Sequence, residues 1–113
     1  MADDSGLEFN RESNAEKQMA AFIVFTRERT RDKAELEIYA TMAPAGLAGH
    51  PITLRALYGR HEVIEGPEVE DVAILEFPTF EAAKAWYENP AYRDARLHRL
   101  KGGDYRAVIV DGV

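Results

Sequence analysis

Apolar and polar positions follow two different periods along this chain, and the switches between those periods mark out its elements. Ala20-Ala21-Phe22-Ile23-Val24-Phe25-Thr26 is an unbroken apolar run of strand length, rich in β-formers. Unbroken rather than alternating hydrophobicity predicts a strand covered on both faces. The charged stretch from Arg27 to Asp32 is expected to close it as a turn. From Lys33 the period changes. Leu36, Tyr39, Ala40, Ala43 and Leu47 recur at steps of three and four, which is one apolar stripe of a helix reaching about Gly49. Asp32 is placed to cap its N-terminus, and Pro44 to kink or end its first segment.

Ile52 to Tyr58 reads as the second strand, interrupted by Arg55, with a bulge or bend expected at Gly59. His61 to Glu65 is expected to continue it, and Gly66-Pro67 marks a turn. Val72 to Phe77 is the third strand. Val72, Ile74 and Glu76 share one of its faces, and Ala73, Leu75 and Phe77 the other. Pro78 stops it. Thr79 then caps a helix through Tyr87, with Phe80, Ala83 and Trp86 or Tyr87 inward. Asn89-Pro90 restarts a helix, with Asn89 as cap and Pro90 in the permitted first position. It is expected to run to about Leu100, with Leu97 and Leu100 as its apolar ridge, and to end at Gly102-Gly103. Tyr105 to Asp111 is the last strand.

The order β-α-β-β-α-β is the split βαβ arrangement of an α+β, ferredoxin-like domain. It places a four-stranded antiparallel sheet under helices that cover only one of its faces. Three of the four strands are nonetheless apolar on both sides. A second copy of the same sheet is the expected cover, because a monomer rarely exposes an apolar patch of several hundred Å² and two-fold homodimers are the commonest assemblies. The domain is expected over residues 19–113. Residues 1–18 read as a polar extension that supplies −3 of the chain's formal net charge of −6. With Leu7 and Phe9 as their large apolar side chains, they bury too little to offset their ordering entropy.

Charge and cysteine usage narrow the function classes. An acidic chain without a basic stripe argues against nucleic acid as a partner. The absence of cysteine removes disulfides, cysteine-ligated zinc, iron–sulfur clusters and thiol nucleophiles. No apolar run approaches the length needed to span a bilayer, and the acidic N-terminal segment is unlike a signal peptide. The cytoplasm is the expected location. The separations of His50, His61 and His98 offer no metal-ligand spacing, so neither metal nor cofactor is expected.

Several of these segments together resemble one family. Glu65-Gly66, the strand Val72 to Phe77 with Pro78, Glu81-Ala-Ala-Lys-Ala-Trp-Tyr87 and Pro90-Ala-Tyr92 are similar to the family called domain of unknown function 1330, over about residues 20–112. The resemblance implies a dimeric α/β barrel. It also implies membership of the ferredoxin-like superfamily that holds small monooxygenases, muconolactone isomerases and chlorite-dismutase-like haem proteins. The chain departs from common members at Tyr58-Gly59-Arg60-His61, where many carry a Gly-Gly pair.

Candidate chemistry falls on a few side chains. Glu76, ending an apolar strand, is the candidate general base; the alternative is a strand-end carboxylate paired with an arginine. Tyr58 and Arg55 are candidates to steady an oxyanion. By parity they lie on opposite faces unless a bulge intervenes. Arg55 is also placed to bind a substrate carboxylate or to pair with an acidic residue across the dimer. His61, beside Glu62 and Glu65, is a candidate catalytic imidazole or a solvated loop residue. Trp86, Tyr87 and Tyr92, around the helix break, read as an aromatic wall for a flat ligand or as core and dimer packing, and Tyr39 as a phenol pointed into a cleft between helix and sheet. Tyr39, Trp86 and Tyr92 are the candidate substrate-binding residues among them. Arg93, Arg96, Arg99 and Lys101 read as a solvated face, with His98 on the same side.

Three functions follow. One is a cofactor-independent monooxygenase, isomerase or lyase acting on a small, flat organic molecule between sheet and helices. The second is a non-catalytic dimer that holds a small metabolite. The third is a structural homodimer, which predicts no cavity above about 300 Å³, the low end for ligand pockets.

Overall fold

The computed structural model describes residues 19–113; the polar extension expected at 1–18 lies outside them. The elements are β1 (Ala21–Thr30), α1 (Lys33–Met42), a 3-10 turn (Ala43–Leu47), β2 (Thr53–Leu57), β3 (Asp71–Phe77), α2 (Phe80–Tyr87), α3 (Pro90–Gly102) and β4 (Gly103–Asp111). The sheet runs β2-β3-β1-β4, antiparallel at every pairing. This is the α+β ferredoxin-like architecture expected from the element order.

The three expected helix starts are capped as their residue types dictate. Asp32 accepts from the Ala34 and Glu35 amides at 3.1 and 3.4 Å. Thr79 accepts from the Ala82 amide at 3.0 Å, and Asn89 from the Ala91 amide at 2.8 Å. Pro44 ends α1 as expected, because it cannot donate to the helical ladder, and the chain continues as the 3-10 turn.

Elsewhere the structure departs from the pattern-based reading. β1 does not stop at Thr26. Its charged end, Arg27 to Thr30, stays paired with Tyr105 to Gly103 across an irregularity between Arg27 and Arg29. His61 to Glu65 does not extend β2. On α3 the inward residues are Tyr92, Ala95, Arg99 and Gly102, whereas Leu97 and Leu100 are about half exposed. The reason is close approach. A Cβ on Gly102 would lie 2.5 Å from the Leu36 side chain, so small residues set the α1–α3 contact. The Gly102 carbonyl also accepts from the Arg31 and Asp32 amides at 2.7 and 3.0 Å.

The core lies between the sheet and the helices. Ile23, Phe25, Ala73, Leu75 and Phe77 point into it from β1 and β3, and Ala83, Trp86 and Tyr92 from α2 and α3. The opposite sheet face carries Val24 between Ile74 and Val108, and Phe22 between Glu76 and Val110. Among the described residues no helix packs on that side, and Val108 and Val110 are 53% and 48% exposed.

Candidate functional site

A cavity of about 280 Å³ opens between the sheet and the helix layer. Phe25, Ala73 and Leu75 form its sheet wall, and Leu36, Tyr39 and Leu47 its helix wall. Leu54, Leu57 and Tyr58 close it from β2, each about half exposed. Trp86 and Arg99 line it from α2 and α3, and Arg27, Asp71 and Tyr105 from the charged end of the sheet.

Two backbone irregularities place the β2 residues. The β2–β3 register shifts between Leu54 and Ala56, so Arg55 is the extra residue of a bulge. The bulge, rather than strand parity, sets the directions of Arg55 and Tyr58. The bend expected at Gly59 falls on Tyr58, which has φ of 59°, a conformation costly for a side-chain-bearing residue and frequent at functional sites. Its amide donates to the Val72 carbonyl at 2.9 Å, which holds the turn against β3.

Of the residues singled out from the sequence, Tyr39, Tyr58 and Trp86 line this cavity. Tyr92 stands behind Tyr39, their hydroxyls 3.0 Å apart. Burial pushes both the Tyr39 and the Tyr58 phenol above its ordinary value, so each is a neutral hydroxyl at physiological pH. Glu76 and Arg55 meet on the helix-free face, Arg55 Nε donating to Glu76 Oε1 at 2.6 Å. Glu76 instead borders a shallower groove of about 350 Å³ with His50, Pro51 and Thr53. Glu76 and His61 therefore do not face each other across the main cavity.

His61 is exposed and acts as a staple across the β2–β3 connection. Nδ1 lies 3.2 Å from the Gly59 carbonyl and Nε2 3.0 Å from the Val69 carbonyl. Both partners are acceptors, so satisfying both requires a proton on each nitrogen. The Val69 and Gly59 carbonyls accordingly raise the His61 pKa above 6.5. A raised folded value means that the contribution to stability is complete below the unfolded value and lost as pH rises through the folded one. We expect an NMR titration of His61 to give a midpoint above the ordinary imidazole value, with the protection of the 59–69 amides, relative to their intrinsic exchange rates, falling at higher pH. A midpoint at or below that value would show the staple to be absent in solution.

Arg99 departs from the sequence pattern. Composition groups it with Arg93, Arg96 and Lys101 as a solvated face, but it is 2% exposed. Its spacing carried the signal: it follows Tyr92 and Ala95 by seven and four residues, on the inward stripe of α3. Its guanidinium lies 5.0 Å from the Phe25 ring centroid and 4.7 Å from that of Tyr105. Its contact to the Tyr87 hydroxyl is 3.5 Å, the outer limit of a hydrogen bond. The Arg99 Nε and the Trp86 indole N–H are both buried without a partner among the described residues. His98, grouped with the same face, is half-buried and lies 2.6 Å from Glu35. Among the described residues no group of three potential metal ligands occurs, and no helix is long and apolar enough to cross a membrane.

Fold and cavity together define a ferredoxin-like α+β protein with a one-sided, largely apolar pocket. The chain belongs to the DUF1330 family, a domain of unknown function, matched over residues 20–113. No curated protein matches it. Among solved structures it is similar to a protein of unknown function from Rhodopseudomonas palustris, at 17% identity and TM-score 0.66, covering 94% of this chain and 92% of that one. It is also similar to a dimeric ferredoxin-like protein of unknown function from Thermobifida fusca, at 15% identity and TM-score 0.60, covering 85% and 93%. A third is SnoaB, a cofactor-independent oxygenase from Streptomyces nogalater, at 13% identity and TM-score 0.56, covering 84% and 94%. At these identities the likeness is one of fold.

Proposed function

We propose that this protein is a homodimer that holds a small, flat, mostly apolar organic molecule in the cavity between sheet and helices. The observation that carries this reading is the cavity itself: apolar walls from Phe25, Leu36 and Leu75 converge with a few hydroxyl and N–H groups at its lining, the usual make-up of a ligand site. Tyr39, Tyr58 and Trp86 are its proposed binding residues, with Tyr92 fixing the Tyr39 hydroxyl. The shared fold with SnoaB supports, by analogy alone, cofactor-independent chemistry on the bound molecule, with the neutral Tyr58 phenol steadying developing negative charge. Glu76 and Arg55 are proposed as an ion pair at the dimer interface.

The cavity falls just short of the roughly 300 Å³ at the low end for ligand pockets. That size favours, as a second reading, a structural homodimer with an incompletely filled core. Native mass spectrometry beside the denatured mass separates the two. We expect a species near twice 12.7 kDa that carries an additional small mass, or that acquires one from a library of small aromatic compounds. A dimer that never carries one supports the structural reading, and a monomer overturns the assembly.

A further inference from the structure

A buried charge with no counter-charge is costly, and Arg99 is such a charge. Among the described residues no carboxylate lies within ion-pairing distance of it. Ring faces on two sides, a marginal contact to the Tyr87 hydroxyl and the neighbouring Tyr92 phenol, all neutral groups, are its compensation, and its Nε is unpartnered among the described residues. The indole N–H of Trp86, which lines the same cavity, is also unpartnered. The lining carries two guanidinium groups, Arg27 and Arg99, against one carboxylate, Asp71. That carboxylate is engaged by Arg27. The lining thus offers donors and a positive charge, with its acidic group already occupied.

Resting on the reading of this cavity as a ligand site, we infer that its ligand is a small carboxylate, with its acid group on Arg99 and its apolar body against Phe25, Leu75 and the Trp86 ring. A guanidinium presents a planar fork matched to a carboxylate, and the ligand's charge supplies what the fold leaves out. The α3 position kept for Arg99 lies on the apolar stripe, where a leucine or methionine would pack without a charge to compensate.

Trp86 is the chain's single tryptophan, so its fluorescence reports on this cavity alone. The test titrates the full-length protein with benzoate and with benzamide, which match in shape and differ in charge. We expect benzoate to change Trp86 emission saturably, with a Kd at least about tenfold below that of benzamide, the size of a charge-assisted hydrogen-bonded contact. Arg99→Met is expected to bring the two ligands within about twofold of each other, and Arg99→Lys to keep part of the preference. The ligand-free Arg99→Met variant is expected to melt no lower than the parent, because an unpaired buried charge has gone; a large loss of stability would mark Arg99 as structural and end the proposal. Equal binding of benzoate and benzamide also ends it while leaving the cavity a ligand site. No response to either, in emission or melting temperature, ends the ligand-site reading as well.

Discussion

Val24→Lys is expected to split the proposed homodimer into folded monomers. Val24 sits at the centre of the helix-free face, in register with Ile74 on β3 and Val108 on β4. Phe22 and Val110 continue the same apolar surface along the sheet. The three helices of the described residues pack on the other side, so a facing sheet is the proposed cover, and a two-fold axis makes the patch its own complement. A lysine at the middle of that contact places an unpaired charge in a desolvated interface, at a cost of about 3–5 kcal/mol, on the order of a thousandfold in the dimer constant. Size exclusion with light scattering should read a mass near 12.7 kDa in place of twice that value. Circular dichroism should be unchanged, because Ile23 and Phe25 on the opposite face keep their packing. A dimer that survives Val24→Lys places the interface on another surface of the molecule.

That prediction rests on a feature already visible in the residue pattern: Phe22, Val24 and Ile74 are apolar where a one-sided sheet would be polar. The element order, the caps at Asp32, Thr79 and Asn89, and the break at Pro44 were legible for similar reasons. Each depends on local chemistry that a residue type carries with it. The site was less legible. Arg55 and Tyr58 do lie on opposite faces, as parity suggests, but the bulge at Arg55 means that parity alone does not fix where each side chain goes. The left-handed turn falls on Tyr58 while the adjacent Gly59 does not take it, because register with Val72 fixes where the chain must bend. Glu76 was read as a base with an ion pair as the alternative; its contact with Arg55 is a tertiary fact that strand position alone does not specify. Arg99 was hidden by composition. Three neighbouring basic residues suggested a solvated face, while the spacing to Tyr92 and Ala95 pointed inward.

Trp86→Ala is expected to lower stability by about 3–5 kcal/mol, a large part of the 5–15 kcal/mol that holds a typical domain. Trp86 is 2% exposed and is the hub of the aromatic cluster. Its ring centroid lies 4.0 Å from that of Tyr92, 5.6 Å from Phe77 and 6.3 Å from Phe25. Truncation removes the shared wall of core and cavity together, and the backbone of α2, fixed by the Thr79 cap, cannot follow inward to refill it. Trp86→Phe separates ring packing from the indole N–H. Among the described residues that N–H is buried without a partner, a state that itself costs about 1–3 kcal/mol. Phenylalanine keeps much of the ring contact and removes the unsatisfied donor, so its net effect on stability should be small, within about 1.5 kcal/mol. Urea unfolding followed by circular dichroism measures both variants on one scale. A Phe variant as unstable as the Ala variant would mean that the indole N–H contributes to folding through a bonded partner. Near-native stability of the Phe variant, beside a large loss for Ala, would assign Trp86's contribution to its ring and leave the N–H free for an acceptor brought in from outside.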